Sequence, residues 1–307
     1  MTWKILVPLD GTTASNRALP WASALARDLG AAVQLSHVQE YAHSLLPGLA
    51  HSSAAAAEIE GTLEQAKASF YSKEDVSVAV LEGDPGSILA EQARESYDLV
   101  VMASELRGGL ARIGHPSVAW SVIRDSGTPV LVIPHHAPPT PPRPARRVIV
   151  PLDGSETSML ILSHIAPLAR TLHWLVVLLG IVPTSPSATR DALATQAYLG
   201  HLAADMHRQL VATRSVVRSG EPGPAILELA RAANADLIAM STHSQRGGNP
   251  LRVGSVTEYV LAHATTPVLT FHPNAVEFFE SPAEAAPSRR FSERLLTEIR
   301  ARQPRPK

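Results

Sequence analysis

Cysteine does not occur among the 307 residues, and its absence removes disulfide bonds, thiolate nucleophiles and thiolate metal ligands together. Chemistry is left to oxygen and nitrogen groups. No apolar run approaches the ~18 residues of a membrane-spanning helix, so no membrane span is expected. Neither sign of charge dominates, with 27 Lys+Arg against 28 Asp+Glu, which leaves no basic footprint for nucleic acid. The opening "MTWKILVPLDG" meets only a short apolar run before Asp10 and lacks the basic start and long apolar region of a secretory leader. A cytoplasmic globular protein is the expectation. The 13 histidines are scattered, and the adjacent pair His135-His136 borders a proline-rich segment with no partner ligands at metal-site spacing, so no metal site is expected.

What the chain does have is an internal repeat. "KILVPLDG" from Lys4 returns as "RVIVPLDG" from Arg147, placing Asp10 on Asp153; "GDPGSILAEQARESYDLVVMAS" from Gly83 returns as "GEPGPAILELARAANADLIAMS" from Gly220; "TPVLVIP" from Thr128 returns as "TPVLTFH" from Thr266. Three blocks repeated in one order imply duplication of a whole structural unit. Between the copies lies "PHHAPPTPPRPARR", whose prolines favour extended conformations and cannot donate to a ladder, so it reads as a linker. The expected layout is a first domain over 1–134, a linker over 135–146, a second domain over 147–273 and a tail over 274–307. In that tail, "SRRFSERLLTEIRARQ" from Ser288 has the spacing of an amphipathic helix.

Within the first copy, near-continuous apolar runs at 5–9, 32–38, 76–81, 99–102 and 130–133 alternate with helical spacing over 13–29, 52–72, 85–96 and 117–125. That alternation predicts an α/β unit, a doubly wound, five-stranded parallel sheet with helices on both faces, occurring twice in tandem. In such sheets ligands bind beyond the carboxyl ends of the strands, where strand order reverses. The loops after strands one and four of each copy then lie side by side, carrying Asp10 and Met102 in the first and Asp153 and Met240 in the second.

With "VPLDG" at each start, "GDPG" and "GEPG" before helix three, "DLVVMAS" and "DLIAMST" in strand four and "TPVL" at each end, the chain resembles the universal stress protein family in its tandem form. The resemblance implies an adenine nucleotide alpha hydrolase-like unit, a stress-response or regulatory role, pairing of the two units within the chain, and homodimerisation. One branch of the family binds ATP, with Mg2+ carried by the phosphates, through a glycine, two residues, a glycine, nine residues, then a glycine and a serine or threonine. Glycine lets phosphate approach backbone N–H groups, and the following helix presents its positive end.

On the second copy that signature falls on Ser241, Ser244 and Gly254-Ser255, half intact. The resemblance thus implies a nucleotide site formed by Pro151, Leu152 and Asp153 on the adenosine side and by Met240, Ser241, Ser244, Gly254, Ser255, Val256 and Thr257 on the phosphate side. Other readings stand beside it. Ser255 and Glu258 have the spacing of a capping box, and Asp153-Gly154 has the composition of a turn that caps the next helix. On the first copy the signature falls on Ala103, Leu106 and Pro116-Ser117, which predicts no ATP binding, since proline lacks an N–H and leucine is apolar. The arginine-bearing "RGGLARIG" from Arg107 remains near that crevice. Three functions stay open: a nucleotide-binding regulator, an interaction scaffold that binds no nucleotide, and a slow ATPase or phosphotransferase. The last has no Walker-type element and no nucleophile–base pair to support it, so no catalytic residue is named.

Overall fold

A computed structural model describes residues 2–40, 53–73, 75–104, 117–137, 146–242 and 254–272. Ser244, the Arg107 to Gly114 stretch, most of the proline-rich segment and the tail helix expected from Ser288 lie outside the described residues. The chain divides into two compact units, Met1–Pro141 and Pro142–Lys307.

In the first unit the order is β1 (Lys4–Pro8), α1 (Leu19–Leu29), β2 (Ala32–Gln39), α2 (Ser53–Ala66), β3 (Val76–Glu82), α3 (Pro85–Ser96), β4 (Leu99–Ser104), α4 (Val118–Asp125) and β5 (Val130–Pro134). All pairings are parallel, in the order β3-β2-β1-β4-β5. In the second unit the order is β6 (Arg147–Leu152), α5 (Glu156–Thr171), β7 (Leu175–Val182), α6 (Ala188–Arg208), β8 (Thr213–Ser219), α7 (Pro222–Ala232), β9 (Leu237–Ser241), α8 (Ser255–His263) and β10 (Val268–Phe271). Its parallel order, β10-β9-β6-β7-β8, repeats the same connectivity. Each sheet therefore reverses direction between its first and fourth strands, as the alternation of runs predicts.

The repeated motifs have structural duties. Asp98, just before β4, accepts the Lys4 amide at 2.9 Å; Asp236, just before β9, accepts the Arg147 amide at 2.7 Å. Each carboxylate pins the two strands that flank the reversal. In "GDPG" and "GEPG" the second glycine permits close helix contact: a Cβ on Gly86 would lie 2.8 Å from Ser121 Cβ, and one on Gly223 would lie 2.5 Å from the Tyr259 ring. Helices α3 and α4, and α7 and α8, meet there. The first helix differs from the expected single span over 13–29. It is a 3-10 turn, Ser15–Ala18, followed by α1, whose second residue is Pro20. Proline has no N–H for the i−4 carbonyl, so the α-helical ladder starts at its turn and not before. No described helix is long and apolar enough to cross a membrane.

Candidate functional site

Both units build the same feature at the end of their first strand. Asp153 Oδ1 accepts the Ser155 amide at 3.0 Å and the Ser155 hydroxyl at 2.6 Å, while Asp10 Oδ1 accepts the Thr12 amide at 2.9 Å and the Thr12 hydroxyl at 2.6 Å. These are Asx turns, and they require the following residue to turn left: Gly154 has φ 84° and Gly11 has φ 81°, where a side chain would be strained. Burial alone would raise both carboxyls, but the hydrogen bonds overcome it and hold both below the usual aspartate value; for Asp153 the donors are the Ser155 hydroxyl and amide, then Ser158. For Asp10 they are the Thr12 hydroxyl and amide, then Ser15. The expectation that Asp153 itself caps the next helix is corrected: the cap of α5 is Ser155, whose hydroxyl oxygen accepts the Ser158 amide at 3.1 Å. The aspartate orients the cap from two residues upstream.

The start of α8 is locked to the end of β9. Gly254 N–H donates to the Thr242 carbonyl at 2.6 Å, and Thr257 Oγ1 donates to the Ser241 carbonyl at 3.4 Å. Thr242 is fully buried, with its hydroxyl 2.6 Å from His272 Nδ1. The capping box expected from Ser255 and Glu258 is not formed: Gly254 is the N-cap, Ser255 is the first helical residue, and no side chain caps the helix. Ser255 sits one position too far into the helix for its hydroxyl to reach the third amide as a cap does. Gly254's own amide is likewise committed to Thr242, so the open donors of this corner begin at Ser255. The first-turn amides of Ser255, Val256 and Thr257 have no carbonyl one turn earlier within the helix.

Pro151 and Leu152 end β6 and Asp153 follows it; β6 pairs with β9 through Val148–Leu237 and Ile149–Ile238. Leu152 and Met240 are buried in the core at the strand ends. Ser241 lies in β9, paired with Phe271, so it stands in extended backbone where a serine is unstrained and glycine is not needed. Its hydroxyl is shut from solvent and has no partner among the described residues.

One feature escaped the motif reading, Tyr198 on α6: its hydroxyl is buried without a partner among the described residues, and burial, then the nearby Asp153 carboxylate, push the phenol well above its usual range. Gly180 explains how α6 comes so close. A Cβ there would be 2.3 Å from Thr195 Cγ2 and 3.2 Å from Leu199 Cδ1. In the first unit His37 holds the register position of Gly180, with its Nδ1 2.8 Å from the Leu9 carbonyl, and a cavity of about 460 Å³ lies among His37, Leu19 and Leu63 of α2.

Beyond the strand ends of the first unit, where Asp10 and Met102 lie, is a cavity of about 700 Å³ over β1, β2, β4 and β5. Pro8, Val38, Leu89 and Met102 give it apolar walls; Asp10, Arg17 and Ser117 give it polar ones. Here α4 does carry a side-chain cap, Ser117, which accepts the Trp120 amide at 3.4 Å.

Two doubly wound parallel sheets, each with an Asx turn after its first strand, define a tandem α/β protein. A profile of the universal stress protein family matches residues 1–134 and 144–272, and the chain belongs to that family. A universal stress protein of Mycolicibacterium smegmatis is 26% identical over 189 residues, an alignment spanning 59% of this chain and 64% of that relative. The crystal structure of a universal stress protein from Archaeoglobus fulgidus superposes with a TM-score of 0.63 at 20% identity, covering 87% of this chain and 95% of the other. A shorter universal stress protein, solved in complex with cAMP, aligns with 42% of this chain and 98% of its own at 20% identity and a TM-score of 0.35.

Proposed function

We propose that the protein is a cytoplasmic regulatory universal stress protein whose carboxy-terminal unit binds ATP, with magnesium carried by the phosphates. The observation that carries this reading is the locked start of α8. Gly254 N–H and Thr257 Oγ1 tie the helix to the carbonyls of Thr242 and Ser241, so the amides of Ser255, Val256 and Thr257 form a preorganised donor set at a positive helix end. Preorganised donors favour an anion because no ordering entropy has to be met on binding. Ser241 Oγ and Tyr198 OH add polar groups without partners among the described residues. Pro151 and Asp153 bound the adenosine side, and Ser244 belongs to the same phosphate loop by its place in the signature.

The role in this reading is binding, not catalysis. Asp153 is held ionised by its turn hydrogen bonds, which makes it a poor general base near neutral pH. A second reading, an interaction scaffold that binds no nucleotide, is favoured by one observation, the use of Gly254's amide by Thr242. Titration of the full chain with ATP and magnesium, followed by thermal unfolding, separates the two. Binding to the native state alone must raise the unfolding temperature, and a folded protein with no shift at millimolar ATP leaves the scaffold.

A further inference from the structure

Between α1 and α2 the amino-terminal unit holds a cavity of about 460 Å³, on the helix side of the sheet. Among the described residues none from β4, α3 or α4 lines it, and it shares only Leu9 and Asp10 with the cavity beyond the strand ends. Its presence follows from one register position. In the carboxy-terminal unit Gly180 lets α6 lie so close that a Cβ there would be 2.3 Å from Thr195 Cγ2. In the amino-terminal unit that position is His37, whose ring occupies the place of a bare backbone, and the cavity lies beside it.

The lining is graded from floor to mouth. Leu9, Leu19 and Leu63 are buried and make the floor, while Asn16, Thr62 and Gln65 are exposed and stand at the mouth. An apolar floor under a polar rim takes an amphiphile end-on, and the volume falls in the range of small-molecule sites. The polar groups select which amphiphile. Asp10 brings a negative charge, and no Lys or Arg lines the cavity among the described residues. His37 adds a second acceptor: its Nδ1 lies 2.8 Å from the Leu9 carbonyl, which can only accept, so that nitrogen carries the proton and Nε2 of the neutral ring keeps a lone pair. Two acceptors with no cation call for a ligand that donates. An ammonium satisfies both, whereas a carboxylate or phosphate meets Asp10 as a like charge.

We propose that the cavity between α1 and α2 is a binding site for a small amphiphilic amine, whose apolar body rests on Leu9, Leu19 and Leu63 and whose ammonium lies at the mouth against Asp10. The site requires neither nucleotide in the carboxy-terminal unit nor any occupant beyond the strand ends.

Isothermal titration calorimetry of the full chain at neutral pH with benzylamine, benzyl alcohol and benzoate tests it, on wild type and on Ala66→Phe, Ala103→Phe and Asp10→Asn chains. Benzylamine is expected to bind wild type more tightly than benzyl alcohol, and benzoate more weakly than either. Ala66 lines the helix-side cavity and not the strand-end one, so a phenylalanine there takes the place of the ligand's ring and should weaken benzylamine at least about tenfold. Ala103 lines only the strand-end cavity, and its phenylalanine chain should bind benzylamine as wild type does. Asp10→Asn keeps a side-chain oxygen for the turn but loses the charge; benzylamine should weaken roughly fivefold, the worth of one partly exposed ion pair, and lose its advantage over benzyl alcohol. That variant decides the matter if the Ala66→Phe chain fails to fold. The proposal is overturned if benzylamine does not bind wild type at millimolar concentration, or if benzyl alcohol or benzoate binds as tightly. It is overturned equally by benzylamine affinity within about twofold of wild type in a folded Ala66→Phe or Asp10→Asn chain, or by affinity lost in Ala103→Phe and kept in Ala66→Phe.

Discussion

Proline at position 255 removes one phosphate donor while leaving the helix that carries it in place. Ser255 is the first residue of α8 and is exposed, so its N–H has no intrahelical partner to lose, and the first helical position is where proline is best tolerated. The preceding residue must be extended, and Gly254 already is, at φ −65° and ψ 145°. Stability should therefore change by no more than about 0.5 kcal/mol, the range of ordinary surface substitutions. A charge-assisted hydrogen bond is worth about 1.5–3 kcal/mol, so ATP affinity in the carboxy-terminal unit should fall roughly 10- to 150-fold. Calorimetric titration with ATP and magnesium, beside thermal unfolding without ligand, reads both quantities. A folded Ser255→Pro chain that binds ATP within twofold of wild type would refute the argument that first-turn amides hold the phosphates. The glycine next door behaves differently: a Cβ at Gly254 would sit 3.0 Å from the Thr242 carbonyl oxygen, so Gly254→Pro also breaks the lock and cannot isolate the ligand contact.

Further outcomes follow from the packing. Gly180→Ala should destabilise the carboxy-terminal unit by roughly 1–3 kcal/mol, because its Cβ meets the stiff β-branched Thr195; Thr195→Ser in the same chain should recover most of the lost unfolding temperature, and no recovery would mean the clash lies elsewhere. Tyr198→Phe removes a buried hydroxyl that has no partner among the described residues, so the ligand-free unfolding temperature should hold or rise, by up to about 1 kcal/mol of stability; a clear fall would reveal a hydrogen bond to that oxygen. Asp153 is held below the usual aspartate value in the folded state, so its contribution to stability is complete above the unfolded carboxyl's value and is lost as pH falls through the folded one. Ser155→Ala deletes the leading hydrogen bond and should raise the Asp153 value, moving acid unfolding to higher pH; carbon-detected carboxylate titration checks this, and an unmoved value would contradict it.

The frame of this protein is written in residues that act locally. Prolines and glycines mark the breaks, apolar runs mark parallel strands, and repetition of the blocks doubles every signal, which is why the α/β order and the reversal between β1 and β4 are readable before any coordinates. The site is less readable because its deciding contacts are non-local. That Gly254's amide is committed depends on the carbonyl of Thr242, a residue well upstream in the chain. Tyr198 is one aromatic residue on a helix with exposed faces, and only the close approach at Gly180 brings it toward Asp153. Arg17 belongs to no repeated motif, and only the fold brings its Nη2 to the Ala137 carbonyl, 120 residues away and just beyond β5.

The paired carboxylates Asp98 and Asp236 carry a consequence for how such a chain can change. Each staples its own sheet at the seam by gripping a main-chain amide, an attachment indifferent to what any side chain above the seam becomes. Side chains at the strand ends can thus diverge between the copies without strands slipping, as His37 and Gly180 have at one register position.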